Sequence, residues 1–208
     1  FADYDGDGSD DLIYLVPGSE RTLRVLRWSG VGFLSESSHP LTPQSLAPGK
    51  LAPMAPNQLT FASTDKESGE LATFGFRRAA EDKNLWKPRI RNLFSDKEGA
   101  FLHALADFDG DGLLDLAVVA PKVAELRFLR GRKDGGFEPF VAFPFLRGVS
   151  ALDAGDFNGD GKASLLVSSK EEGMVGVCHL RKGKRFAFPE PLAIENDTVA
   201  LACADLDD

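Results

Sequence analysis

The chain is short of cysteine, tyrosine, tryptophan and methionine, with two of each in 208 residues, and it has only three histidines. Two cysteines exclude a disulfide-dense mini-fold and any cysteine-rich zinc module. His39, His103 and His179 are scattered and form no triad or zinc pattern, so no catalytic residue is assigned and no enzymatic activity is expected. No apolar run approaches the roughly 18 residues needed to cross a bilayer, so this segment is not expected to insert into a membrane. No segment keeps a 3.6-residue apolar period long enough to specify a helix. Positive charge is also in deficit: 24 Lys and Arg face 32 Asp and Glu, a net charge of −8, which argues against nucleic acid as a partner. No signal-peptide pattern opens the chain, and the start at Phe1-Ala2-Asp3 suggests that the true N-terminus lies elsewhere.

What the chain has in quantity is glycine, 21 residues, and phenylalanine, 16 residues. Many turn-forming residues between short hydrophobic runs favour an all-β protein. A composition of 43% apolar and 27% charged residues is ordinary globular chemistry.

An internal repeat sets the architecture. Asp3-Tyr-Asp-Gly-Asp-Gly-Ser-Asp-Asp11 is echoed by Asp107-Phe-Asp-Gly-Asp-Gly-Leu-Leu-Asp115 and by Asp156-Phe-Asn-Gly-Asp-Gly-Lys-Ala-Ser164. It begins again at Asp205-Leu-Asp-Asp208. The starts at 3, 107, 156 and 205 leave gaps of 104, 49 and 49, so a copy without the acidic loop is expected near residue 55. Lys50-Leu-Ala-Pro-Met-Ala-Pro56 supplies its lead-in, and Asn57-Gln58 stands where the loop would be. The approximate repeats are 1–49, 50–99, 100–148 and 149–198, with 199–208 opening the next.

Each repeat reads as a small-residue strand, the acidic loop, a β-rich strand such as Leu12–Val16 or Leu114–Val119, and a third strand such as Leu23–Trp28, Leu71–Phe76, Glu125–Arg130 or Val175–Arg181. A fourth strand is expected from Phe33, Phe137 and Phe186. Four short antiparallel strands per repeat of roughly 50 residues is the signature of a β-propeller blade. The expected fold is thus an all-β propeller region with about four blades. A closed four-bladed ring is conceivable, but Asp205 and Asp207 would then duplicate Asp3 and Asp5 at one site. An excerpt of a six- to eight-bladed ring fits better.

Carboxylates at loop positions 1, 3 and 5 with glycine at 6 gather hard oxygens round one point, which suits Ca²⁺ with its 6–8 oxygen ligands better than the tight octahedron of Mg²⁺. An EF-hand requires glutamate at position 12, where Tyr14, Val118 and Val167 stand. A carboxylate falls at position 9 instead, in Asp11 and Asp115. An Asp/Gly-rich turn without a metal is the plain alternative. Three copies of one layout weigh against it.

These motifs and the strands that follow them resemble the FG-GAP/VCBS repeats of integrin α-subunit-like propellers. Asp156-Phe-Asn-Gly-Asp-Gly-Lys162 and the turn Asp134-Gly-Gly-Phe137 are especially close. The resemblance implies metal ligands at Asp107, Asp109, Asp111, the Leu113 carbonyl and Asp115, and likewise at Asp3, Asp5, Asp7, the Ser9 carbonyl and Asp11. In the third loop the corresponding residues are Asp156, Asn158, Asp160 and Lys162, with Ser164 in place of a carboxylate, so weaker binding is expected there. A further site begins at Asp205. The loops and the terminal stub hold fourteen acids; taking those from 32 leaves 18 against 24 Lys and Arg, so the acidity is local to the loops.

Basic turns, Arg77-Arg78, Arg130-Gly-Arg-Lys133 and Arg181-Lys-Gly-Lys-Arg185, follow the third strands on the same rim as the acidic loops. They read as solvated turns that balance the carboxylates, with a polyanion site as the sharper alternative. The opposite rim carries the connections of most variable length, such as Ser37 to Pro48, Ser63 to Gly69 and Ser168 to Gly173, and recognition is expected there. Trp28 and Trp86 read as blade-packing residues, a disulfide between Cys178 and Cys203 is not expected, and Asn196-Asp-Thr198 is a formal glycosylation sequon.

Weak calcium sites suit the calcium levels outside cells. The expected function is a non-catalytic binding or adhesion module, extracellular, on a cell surface or periplasmic, that recognises a protein or glycan. The alternative is an accessory or scaffold propeller of an extracellular polysaccharide-degrading enzyme, lyase-like in kind.

Overall fold

The structure, a computed structural model, describes residues 4, 7–16, 22–40, 51–55, 58–64, 70–78, 86–95, 101–120, 123–181, 185–194 and 200–203. The described elements are all strands, and every pairing between them is antiparallel. The chain divides into two compact units, Phe1–Lys97 and Glu98–Asp208.

The first unit holds two sheets. In one, β1 (Leu12–Val16), β2 (Thr22–Trp28) and β3 (Phe33–Pro40) pair in sequence order. Ile13 and Val25 face each other in this ladder and are buried, and Trp28 meets Phe33 edge to face at 5.1 Å. Trp28 thus packs within the blade, as its position at a strand end implied. The other sheet runs β4 (Leu51–Ala55), β5 (Gln58–Thr64), β6 (Glu70–Arg78) and β7 (Trp86–Ser95). It is a complete four-stranded meander built from the repeat that lost its acidic loop. Ala55 pairs directly with Gln58 across the connection, so a short link takes the place of the loop.

The second unit repeats that plan twice. One sheet comprises β8 (Leu102–Ala106), β9 (Asp115–Ala120), β10 (Glu125–Leu129) and β11 (Val141–Pro144). The next comprises β12 (Val149–Gly155), β13 (Ser164–Ser169), β14 (Met174–Cys178) and, beyond a small hairpin of β15 (Leu180–Arg181) and β16 (Arg185–Phe186), the short outer strand β17 (Glu190–Pro191). Leu116–Val119 of β9 and all of β13 are buried. Apolar material covers both faces of these middle strands, which is why their sequences read as nearly continuous hydrophobic runs rather than alternating ones.

The core of this unit joins its two sheets. Phe108, Phe128 and Phe186 form a triangle of edge-to-face rings, 6.0, 5.3 and 5.2 Å between centroids. Around them pack Leu126, Phe143, Leu165 and Val167. Phe108 is position 2 of an acidic loop and only 1% exposed, so the loop is pinned to the core by its own aromatic residue. Tyr4 occupies the same position in the first loop and is also buried, whereas Phe157 in the third is 46% exposed.

The outer strand of the first blade begins at Phe33 as expected, but those of the second unit begin later than the sequence suggests. Phe137 makes only an isolated bridge to Gly131, and the ladder resumes at Val141. Phe186 pairs with Leu180 in the small hairpin, and the strand that completes the sheet is Glu190–Pro191. Phe186 turns into the core, and Phe137 is held by its bridge to Gly131, before the outer strand forms. The third strand of the last blade likewise stops at Cys178 rather than running unbroken to Arg181, because His179 is drawn aside by Ser164. Cys178 and Cys203 are free thiols, as expected.

Candidate functional site

The second acidic loop, 107–115, connects the innermost strand β8 to β9 and is described in full. Alternating Asp and Gly let it coil tightly: Gly110 and Gly112 adopt φ of 79° and 80°, a left-handed conformation that favours glycine. The coil turns backbone N–H groups towards the carboxylates. Asp107 Oδ1 accepts from Gly110 (2.7 Å) and Asp111 (3.2 Å), and Asp107 Oδ2 accepts from Gly112 (2.8 Å). Asp109 Oδ1 accepts from Asp111, and Asp111 Oδ1 from Leu113. Position 1 thus anchors the whole turn, in the manner of an Asx turn extended by one more bond.

Asp115, at position 9, is fully buried. Its Oδ2 accepts from the Phe108 amide at 3.1 Å and its Oδ1 from the Gly131 amide at 2.7 Å. One side chain therefore ties the start of the loop to the end of the third strand. Asp11 does the same in the first blade, accepting from the Tyr4 and Trp28 amides at 2.9 and 2.8 Å. Burial pushes the Asp115 carboxyl up from 3.8 to about 7; the like charges of Asp109 and Asp111 add to this, and the two amide donors act against it.

Asp107, Asp109 and Asp115 each bring a carboxylate oxygen to within 4.8 Å of the others. This set of hard oxygens fits a hard divalent cation, whose charge would relieve the strain of crowding three carboxylates round one of them that is buried. Asp111 turns one oxygen away, to the Arg130 guanidinium at 3.3 Å. The same guanidinium holds Asp109 Oδ2 through Nε at 2.6 Å, and a second contact joins it to Asp109. The sequence reads Arg130 as part of a solvated basic turn that balances the neighbouring carboxylates; the pairing with them holds, but the side chain is only 22% exposed and so is not a solvated one. It lies across the loop, and its charge is stabilised first by the Asp109 hydrogen bond.

The third loop repeats the hydrogen-bond pattern without the convergence. Asp156 accepts from Asn158, Gly159 and Gly161, which together hold its carboxyl below the usual range. Asn158 and Asp160 bond each other, and Lys162 N donates to Asp160. Ser164, standing where Asp115 stands in the loop before, shares a hydrogen bond of 2.7 Å with His179 Nδ1. Nothing in the sequence pattern marks this serine–histidine pair. Ser164 is 4% exposed, so the contact closes the strand end and offers no accessible nucleophile. In the first loop Asp7 accepts from the Ser9 amide at 2.8 Å. The expected ligands Asp3 and Asp5, and the stub from Asp205, lie outside the described residues.

Loops two and three are neighbours. Ala163 N donates to the Asp107 carbonyl at 2.8 Å, and the Lys162 side chain lies across Gly110 so closely that a Cβ there would come within 2.8 Å of it. A further buried carboxylate, Asp153 of β12, accepts from the Cys203 amide at 2.7 Å and so captures the segment that opens the following repeat. That segment is not a strand over residues 200–203, although the sequence led one to be expected there. Only the position of Asp153 in an innermost strand of small residues could have marked it.

Residues 107–167 match the family described as FG-GAP-like repeat, spanning the second acidic loop, the rest of its blade and the next blade as far as β13. This stretch is similar to FG-GAP-like repeats. The four-stranded antiparallel sheets are accordingly β-propeller blades, and the chain is all-β. A crystal structure of a protein from Lactobacillus plantarum is similar in fold, with a TM-score of 0.57 at 13% identity over 92% of this chain and 55% of that one. The chain thus spans about half the length of that relative. A search of curated proteins returned no match. No helix among the described residues is long and apolar enough to cross a membrane.

Proposed function

We propose that this chain forms part of a non-catalytic binding module, a calcium-stabilised propeller that acts outside the cell or at its surface and recognises a protein or glycan. The observation that carries the reading is the convergence of Asp107, Asp109 and Asp115 in a stretch similar to FG-GAP-like repeats. Calcium is the favoured cation because every donor is an oxygen and the loop backbone can add carbonyls to a flexible shell. Its role is structural, since loops of this kind close hairpins with their own side chains. The accessible groups of the loop are carboxylates engaged by backbone amides and by Arg130, an arrangement suited to holding a turn rather than to turning over a substrate.

Recognition is assigned to the rim opposite the acidic loops. Of the connections expected there, Ser168 to Gly173 is fully described, and it is a tight turn: Ser169 Oγ donates to the Arg147 carbonyl and accepts from the Glu172 amide, while Lys170 N reaches the Gly148 carbonyl. Specificity therefore belongs to the longer connections of that rim, which lie largely outside the described residues. The test is calcium titration followed by a glycan and protein binding screen with and without chelator. Calcium uptake with calcium-dependent retention of a ligand is expected. Bond cleavage in the retained ligand, or binding lost on changing Arg132 and Arg185 rather than the opposite loops, would overturn it.

A further inference from the structure

We infer that Arg130 is a tethered counter-cation that sets how tightly the second acidic loop holds a divalent metal. The inference rests on the metal-binding reading proposed above and goes beyond it by giving a role to a residue that is not a ligand.

The Arg130 guanidinium lies on Asp109 and Asp111, and the next backbone amide, that of Gly131, is fixed to Asp115. Its position is therefore set by the same carboxylate that organises the loop. The side chains of Arg130 and Asp109 are only 22% and 11% exposed, so solvent screens the pair incompletely. The loop is thus partly neutralised before any metal arrives.

The strand register shows that this placement recurs. Gln58, Asp115 and Ser164 each begin the second strand of a blade, paired with Ala55, Ala106 and Gly155. Gln58 faces Arg77. One residue beyond the terminal pairs Leu116–Leu129, Leu165–Cys178 and Leu12–Leu26, the residues opposite Asp115, Ser164 and Asp11 are Arg130, His179 and Arg27. Arg27 and Arg77 stand one residue before the end of the third strand and Arg130 and His179 one residue after it, so a basic residue occurs at this register in all four blades, including the one with no acidic loop. In the third loop, which has fewer carboxylates, the base is His179, held by Ser164 instead.

A metal ion held among Asp107, Asp109 and Asp115 would share Asp109 with this guanidinium. Even with the full screening of bulk water, a double and a single positive charge about 6 Å apart repel by enough to cost roughly a factor of ten in affinity. Arg130 therefore weakens calcium binding while keeping the metal-free loop closed.

The experiment is calorimetric titration of calcium chloride into the chain and into Arg130→Gln, Arg130→Lys and Arg132→Gln, with melts in chelator alongside. Arg130→Gln is expected to bind calcium about tenfold more tightly at one site and to melt earlier in chelator than the unchanged chain. Arg130→Lys should stay near the original affinity, because it keeps the charge. Arg132→Gln should change nothing, since Arg132 is exposed and, among the described residues, its side chain pairs with Asp134 rather than with the loop carboxylates. Equal or weaker binding by Arg130→Gln overturns the inference and leaves the calcium reading standing. Absence of binding in every variant overturns both. Should Arg130→Gln fail to fold, the Arg130 Nε–H resonance of the unchanged chain decides: calcium must shift it, and an unmoved signal rejects the competition.

Discussion

Asp115 and Asp11 show how one buried acid can fix a turn. Each occupies position 9 and accepts two backbone N–H groups that no strand ladder satisfies. Asp115→Asn keeps the shape but presents an amide N–H₂ where an acceptor is needed. It should cost about 1–3 kcal/mol, the usual penalty for a buried donor left without a partner, and lower the melting temperature in chelator. An unchanged melt would mean the two amides find other acceptors. Cys178 makes a second residue-level case. Burial, with Glu190 adding like charge, pushes its thiol from 9.0 up to about 12. The folded chain therefore keeps a proton that the unfolded chain gives up above its ordinary value, so stability is lost as pH rises from about 9 towards 12. At pH 8 Cys178 should react with a thiol reagent more slowly than the half-buried Cys203, and the two should react alike once denaturant unfolds the chain. Equal native rates would contradict the burial of Cys178.

At the scale of the element, the blade edge at Gly131 is where the loop, the third strand and the returning arm meet. Gly131 donates to Asp115 and bridges to Phe137, and a Cβ built on it would come within 2.3 Å of the Leu114 carbonyl oxygen. That atom is backbone and cannot swing away. Gly131→Ala should destabilise by about 2 kcal/mol or more, an overpacking cost, while Gly112→Ala strains φ without a clash and should cost less. Comparable losses in denaturant melts would remove the distinction. The aromatic triangle belongs to the same scale. Phe128→Ala opens a cavity between two blades and should cost about 3–5 kcal/mol.

For the whole molecule, the balance lies between crowded carboxylates and the cations that neutralise them. Calcium at ten times its dissociation constant would add about 1.4 kcal/mol per filled site, because it binds the folded form alone. For a chain of this size that corresponds to about 3–6 °C in melting temperature, and chelator should remove it. Asp109→Ala should abolish one such increment. A melt indifferent to chelator in protein shown to carry calcium would deny the metal a structural role.

The repeat period, the acidic motif and the alternation of turn and strand were enough to specify an all-β chain of propeller blades, because each blade is a local meander whose hydrogen bonds join neighbours in sequence. The candidate ligands were legible for the same reason: alternating Asp and Gly coil on themselves whatever surrounds them. What the sequence left open is what long-range packing decides. The sequence places Arg130 in a basic turn beside the acidic loops, but that it closes on Asp109 and Asp111, some twenty residues earlier, is decided only when β10 returns. Asp153 acquires its partner only when a segment fifty residues later is brought to it, and Ser164 meets His179 only when β14 folds back on β13. The late outer strands have the same origin: Phe137 and Phe186 carry strand-like sequence, but the core claims the ring of Phe186 and the Gly131 bridge holds Phe137, so the backbone turns before the ladder can begin. Local chemistry wrote the blades, and tertiary packing chose which charges and rings meet.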